Sequence, residues 1–494
     1  MSKIHYFKTT VLVLCLIMAP DLVRSELSIE QKIEDLQRQL DELRTLQQSQ
    51  QADQQSTVQN PIDLASQNSS NDRTPASPIS PELSFGGQYR VNFYSAENGY
   101  DDSHRELAGR QTSQRLRLRQ NIDFAFDRQF KTHLQFELHH TTDNVTTTDQ
   151  RRGGNSTEVS VRHAVMEYTW LNRNVFNGMN VQAGLVPLDD YFDQTLFSAD
   201  WDYNPLAASF IIPAGSSSLR LFAANVEEGS ESNADDDFVH YQVDVTIPLA
   251  NDIGITLTGT ALNIANAIGP GNNWHYNYGI GGFLPLGSMR ASGFILGSST
   301  DRALLGGSHD ADGVALRAEL TGSLGSGAFG LLATYATGED DGSGFLMPMA
   351  FTRSFGYWGY TGILTVQGPT DTGFDFDGVN ISNNGYGMSS VQAKYSFPLT
   401  ENLGIYFAAG WFGNTHAGSR SSTVGTDAIA MGTYRFNRVL ALGFGIAYAQ
   451  LKDSVSGYFQ GVQQVAGNRG APFNQAQGED RNKWALFGRL QAEF

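Results

Sequence analysis

The stretch RLRLRQNIDFAF, residues 115–126, alternates with period two from end to end. Leu116, Leu118, Ile122, Phe124 and Phe126 share one face of an extended chain, and Arg115, Arg117, Arg119, Asn121 and Asp123 share the other. A helix would scatter both sets around its axis. The segment therefore specifies a strand with one dry and one wet face. The pattern recurs from Leu83 to the last residue, Phe494, and this recurrence constrains the whole chain.

In the first strand Leu83, Phe85, Tyr89, Val91 and Phe93 point one way, and Ser84, Gln88, Arg90 and Asn92 the other. After 115–126 comes 131–140, with Leu134, Phe136 and Leu138 outward. Further strands are expected near 159–170, 179–186, 206–213, 219–226, 238–249, 253–264, 274–284, 289–298, 313–322, 328–337, 385–397, 403–413, 426–436, 439–450 and 482–494. The count is eighteen, with sixteen as the alternative, and 338–384 has room for a further pair.

The connections alternate in length. Those at 127–130, 250–252, 285–288, 398–402 and 437–438 are short; those at 95–113, 141–158, 187–205, 338–384 and 451–481 are long and polar. Many two-faced strands joined this way imply an all-β, antiparallel transmembrane barrel of 16–18 strands over 83–494. An even count returns both termini to one side. Tyr168, Trp170, Trp274, Tyr276, Trp411, Tyr434 and Trp484 sit near strand ends, as interfacial girdles require.

Residues 1–25 have the form of a secretory signal, with Lys3 and Lys8 before an apolar run and Ser25 before the expected cut. Ile29, Ile33, Leu36, Leu40 and Leu43 keep heptad spacing, which predicts a short periplasmic coiled coil over 26–47 and, through it, a homotrimer. Such a stalk would reach about 30 Å and could touch peptidoglycan. Gln, Ser, Asn, Asp and Pro dominate 48–82, which reads as a disordered linker.

Composition removes several classes. A net charge of −18 excludes nucleic acid as a natural partner. The single cysteine, Cys15, lies in the signal, so no disulfide framework or thiolate metal site is expected. No apolar run reaches the length of a helical membrane span. His139 and His140 are adjacent and so point to opposite faces of a strand, and the acidic run 227–237 lacks a calcium-loop spacing. Gly279–Gly282 does not join a strand to a helix, so no nucleotide site follows. No cofactor is expected, and no Ser/His or Asp/His pattern marks an enzyme.

The terminal WALFGRLQAEF, residues 484–494, resembles the closing strand of Gram-negative outer-membrane porins. The order signal, coiled coil, linker and barrel resembles the phosphate-selective porins, and the loop GEDDGSG at 338–344 and the overall size resemble alginate-export barrels. The resemblance implies an outer-membrane location among lipid and lipopolysaccharide, with Phe494 read by the barrel-assembly machinery. It also implies that the third external loop folds inward and narrows the pore.

Alternation places Arg90, Arg115, Arg117, Arg119, Lys131, Arg220, Arg317, Lys394, Arg435, Lys483 and Arg489 on the lumen wall, with Asp123, Glu137, Glu167, Asp244, Glu319, Asp427 and Glu493 as inward acids. Arg115, Arg117 and Arg119 project about 7 Å apart from one strand, and such a row concentrates anions. The loop 187–205 is acidic and aromatic, with Tyr191, Phe192, Leu196, Phe197, Trp201 and Tyr203. A loop meant only for water has no use for them, so it is expected to pack inside the barrel. There Asp189, Asp190, Asp193, Asp200 and Asp202 would oppose the arginine row across the constriction. The function implied is passive diffusion of small hydrophilic solutes and ions, with an anion-selective channel (phosphate or an acidic polysaccharide) as the alternative.

Overall fold

The structure is a computed structural model. It describes residues 81–97, 110–141, 156–171, 177–192, 194–201, 203–227, 238–249, 253–264, 273–301, 304, 310–339, 344–348, 359–365, 387–416, 422–452 and 481–494. The expected signal segment, the 26–47 coiled coil, nearly all of the 48–82 linker, Asp193, Asp202 and the acidic run 228–237 lie outside the described residues.

Eighteen strands follow one another: β1 Glu82–Glu97, β2 Arg110–Ala125, β3 Phe130–Thr141, β4 Ser156–Thr169, β5 Asn180–Leu185, β6 Leu206–Ala214, β7 Ser217–Glu227, β8 Phe238–Pro248, β9 Gly254–Ile264, β10 Trp274–Leu286, β11 Met289–Thr300, β12 Ala311–Leu324, β13 Gly327–Ala336, β14 Met388–Pro398, β15 Leu403–Asn414, β16 Thr423–Arg435, β17 Leu440–Leu451 and β18 Arg481–Glu493. Each pairs with the next, and β1 also pairs antiparallel with β18, from Gln88↔Glu493 to Ala96↔Ala485. The sheet is closed. Closure matters because every backbone N–H and C=O of an internal strand then has a partner and no edge is left.

The short turns are fixed by side chains that replace missing ladder bonds. Asp127 Oδ1 accepts the amides of Gln129 and Phe130 at 2.6 and 2.7 Å. Asn437 Oδ1 accepts those of Val439 and Leu440, both at 2.8 Å. Thr400 Oγ1 does the same for Asn402 and Leu403. These are the side chains that make a tight reversal inexpensive for the backbone.

The two faces of the wall differ as the alternation requires. Phe85, Phe93, Val159, Leu331, Val391, Phe407 and Tyr448 are exposed on the outside, whereas Arg90, Asn92, His240, Asn277, Thr334 and Asp427 are buried within. A surface with so many exposed apolar side chains is poorly suited to water and well suited to lipid. Aromatics pair near strand ends on this surface: Tyr168 with Trp170 at 4.7 Å and Trp274 with Tyr276 at 5.7 Å between ring centroids.

Alternation breaks once where it counts. In the β3–β4 ladder Gln135 pairs with His163 and Phe136 with Val161, leaving Arg162 as an extra residue. This β-bulge turns both Arg162 and His163 inward, and both are buried.

Two connections fold into the barrel. The residues between β5 and β6 carry Val186, Leu188, Phe192, Leu196, Phe197 and Tyr203 into one core with Phe222, Leu262, Phe294 and Leu296 of the wall. Each such Phe or Leu contributes about 1.5–3 kcal/mol by leaving water. Between β13 and β14, Phe345, Leu346 and Met347 join that same core. Tyr360, Ile363 and Leu364 build a second core with Leu332, Phe412 and Ile429. The approach is close: a Cβ on Gly313 would stand 2.2 Å from the Phe345 amide nitrogen, so only glycine fits there.

Candidate lumenal constriction

The arginine row of β2 faces the lumen, and its members differ in what they hold. Arg115 Nε donates to His139 Nε2 at 3.1 Å. Arg117 Nη2 donates to Gln88 Oε1 at 2.8 Å. Arg119 Nε donates to Glu137 Oε2 at 2.5 Å, and its Nη2 reaches the carbonyl of Asp200 at 3.2 Å. Two further arginines join Arg119 in holding the loop. Arg162 donates to the carbonyls of Ala199 and Asp200 at 2.7 and 3.2 Å and to Gln135 Oε1 at 2.5 Å. Arg220 Nη1 donates to the carbonyl of Asp189 at 3.0 Å, while its Nε pairs with Asp244 at 2.8 Å. Three guanidinium groups thus fasten one loop by its backbone oxygens, a task suited to their planar fork of donors.

The carboxylates around this fastening are themselves held. Glu137 lies 3.5 Å from Arg162 Nε as well as against Arg119. Asp244, buried, accepts from Gln242 and from Thr258 Oγ1 at 2.6 Å. Buried charges of opposite sign, each with extra hydrogen bonds, meet the condition under which such groups are tolerated.

The acids of the loop part company. Asp200 keeps 62% of its side chain exposed and stands 3.8 Å from Arg119 Nη1. Asp189 is exposed on one side, and its Oδ1 accepts the Ala199 amide at 2.7 Å. Its enclosure by the wall, with Asp200 beside it, raises its carboxyl above the ordinary range. Asp190 corrects the expectation that it faces the passage. It is buried, and its carboxylate accepts the amides of Phe192 at 2.6 Å, Phe197 at 2.7 Å and Leu196. It ties the loop to itself. Burial pushes it up to about 6 against the pull of those amides.

The loop's aromatic part crosses to the other walls. Phe192 packs on Phe294 with ring centroids 5.5 Å apart, and Phe197 stacks on His240 at 4.5 Å. The Tyr203 hydroxyl meets His240 Nδ1 at 2.8 Å. Burial pushes that phenol up, so it keeps its proton. Tyr191 is the exception: it stays exposed, with the Arg220 guanidinium carbon 4.3 Å above its ring.

The remaining wall cations have separate stations. Arg90, buried, donates to Gln491 of β18 at 2.7 Å. Arg317 and Lys394 share Glu319, at 3.1 and 3.8 Å, and Lys394 also lies over the Tyr360 ring at 4.0 Å. Lys131 and Arg435 lie beside the short turns, and Arg489 stands opposite Asn92. These side chains line the barrel without forming one continuous row. The second inward segment is also anchored: Asp427 Oδ2 accepts the amides of Ile363 and Leu364 at 2.8 and 2.6 Å, and Gln392 Oε1 accepts that of Tyr360 at 2.8 Å. The Tyr360 hydroxyl donates to Glu319; burial first, and this bond second, push the phenol well above its usual range.

Sequence reasoning brought Arg119, Asp189 and the aromatics into one region, whereas Arg115 and Arg117 stand along the wall on His139 and Gln88. It missed Arg162, because strict alternation sends an even-numbered residue on that half of β4 to the wrong face relative to Glu167, and only the bulge reconciles them. The loop composition was the available signal for inward packing. Nothing in the chain's periodicity marks which carbonyls the arginines hold.

No protein-family model matches the chain, and no curated protein sequence matches it. Solved structures do. Pseudomonas aeruginosa OccK5 (OpdH) is similar over 83% of this chain and 98% of its own, with a TM-score of 0.50 at 9% identity. Pseudomonas aeruginosa OccK9 (OpdG) is similar over 84% of this chain and 99% of its own, with a TM-score of 0.50 at 9% identity. At such low identity the likeness establishes a shared fold: the chain is a closed, 18-stranded antiparallel barrel of the same architecture as these proteins.

Proposed function

We propose that the protein is an outer-membrane porin, a water-filled channel through which small hydrophilic solutes and ions diffuse passively. One observation carries this reading. At the level of the inward loop, Asp189, Tyr191 and Asp200 are exposed to solvent although the barrel wall surrounds them. Water therefore reaches the middle of a barrel whose outside is apolar. The loop narrows the passage without being a loose plug, because three arginines and an internal carboxylate hold it. Polar and charged groups of both signs face that water, which favours hydrophilic solutes over apolar ones. The likeness to the Occ barrels supports the architecture.

The same reading extends to the parts that the barrel does not describe. The heptads of 26–47 gather three copies in the periplasm, and Phe494 serves as the assembly signal. The backbone of Phe494 exchanges bonds with Gly87 at 2.7 and 3.1 Å at the barrel seam.

The direct test is current through the mature protein in a planar lipid bilayer. Discrete ohmic steps are expected. Removing the Asp189 and Asp200 charges together, as Asp189→Asn with Asp200→Asn, should shift the reversal potential in a salt gradient toward anions. An unchanged reversal potential would take these two carboxylates out of the constriction.

A further inference from the structure

The bulge in β4 does more than deliver Arg162. It brings His163 inward beside His133 of β3, and the two rings lie tilted with centroids 5.5 Å apart. His133 Nε2 and His163 Nδ1 are 3.4 Å apart. On its other side, His133 Nδ1 pairs with Asp123 Oδ1 at 2.5 Å. Asp123 and His133 are directly opposed in the β2–β3 ladder, so the backbone itself sets this pair.

We propose that His133 and His163 form a lumenal binding site for a divalent transition metal such as Zn2+, with Asp123 orienting His133 from behind. Three features of the geometry point there. A tetrahedral ion bound at about 2.0–2.1 Å by two imidazoles holds their nitrogens roughly 3.4 Å apart. That separation is long for a hydrogen bond between ring nitrogens, which would ordinarily fall near or below about 3.2 Å. The carboxylate on His133 Nδ1 fixes the proton there and leaves the lone pair on Nε2, facing His163. A carboxylate behind a ligating imidazole is the usual support of a histidine metal ligand.

Access also fits. His133 keeps a third of its side chain exposed and Asp123 half, so an ion in the lumen can reach the pair. His163 is buried, so one ligand is held rigidly while the other faces the passage. The N–H groups of Arg162 next to it are turned to Gln135, two loop carbonyls and Glu137, not to the histidine pair. Among the described residues no group of three or more metal-ligating side chains gathers, so two coordination positions remain for water or for a donor group on a passing solute. Imidazole ligands select ions such as Zn2+, Cu2+ or Ni2+ over Ca2+ and Mg2+, which prefer oxygen.

The test is calorimetric titration of the full-length, detergent-solubilised protein with ZnCl2 at neutral pH, with the His133→Gln/His163→Gln double variant as baseline for the other histidines. Heat-modifiable gel migration checks that each variant folds. The expected result is one zinc per chain that the double variant lacks, with Asp123→Asn weakening affinity by about 10–100-fold. Equal zinc uptake by the native protein and the folded double variant would overturn the site, as would an Asp123→Asn variant with unaltered affinity. The outcome is independent of the channel reading: a protein that conducts and ignores zinc loses only this site, and one that binds zinc without conducting loses only the channel.

Discussion

Arg162 shows how much can rest on one side chain. Its guanidinium joins Gln135, Glu137 and the carbonyls of Ala199 and Asp200, and it is almost entirely buried. Arg162→Ala leaves those carbonyls and Glu137 short of a partner, at a cost on the order of 3 kcal/mol by comparison with other broken buried pairs. The barrel should still close, because its ladder does not pass through this side chain. The loop should loosen, which single-channel recording would show as larger and noisier current steps. Arg162→Lys should restore little, since a point charge cannot serve two carbonyls and an amide at once. Asp190 makes a second prediction. Burial raises it to about 6, above the roughly 3.9 of a free aspartate. The docked loop then binds a proton more tightly than the released loop does. Docking therefore weakens as pH rises between about 4 and 6 and changes little outside that window. Amide exchange of Phe192, Leu196 and Phe197, corrected for intrinsic rate, should quicken across that window, and Asp190→Asn should abolish the change. Neither residue's part was open to inspection in the chain alone. Arg162 needed the bulge, and Asp190 looks like its neighbour Asp189 until the loop turns.

At the scale of elements, alternation was a sound guide to strands because each is two-faced and the wall is one sheet thick. Strands β6, Leu206–Ala214, and β7, Ser217–Glu227, cover the expected 206–213 and 219–226. Strand β1 begins at Glu82, one residue before the expected start. What periodicity cannot convey is a change of phase. β4 changes phase at Arg162, and β5, only six residues long, contains Gly184 at φ 122°, where a Cβ would meet the Ala164 carbonyl oxygen at 2.0 Å. Gly184→Val should prevent β4 and β5 from pairing, and the protein should lose its heat-modifiable band on gels. The inward segment at 359–365 offers a milder case. Asp427→Ala leaves the Ile363 and Leu364 amides without their acceptor, about 1–3 kcal/mol for each. Protease accessibility near residues 359–365 should rise while the barrel stays intact. The expectation for 338–384 was room for a further strand pair; the described residues 359–365 instead form an inward segment that periodicity cannot place, since its anchors come from β12, β14 and β16.

The barrel is a wall that satisfies its own backbone, and two inward connections among the described residues partly fill its interior. The apolar exterior and closed ladder explain why such a chain can stand in lipid with a net charge of −18. The proposed constriction is the loop between β5 and β6, which is fastened by Arg119, Arg162 and Arg220 through its carbonyls. The expected arginine row thus divides: Arg119 braces the loop, while Arg115 and Arg117 remain paired along the wall with His139 and Gln88. The measurement that tests this account most directly is single-channel conductance of the purified mature protein in a planar bilayer, alone and as the Arg119→Ala/Arg162→Ala double variant. Discrete ohmic steps are expected for the native protein and larger, noisier ones for the variant. Well-folded protein that carries no current, or a variant whose steps match the native ones, would contradict it.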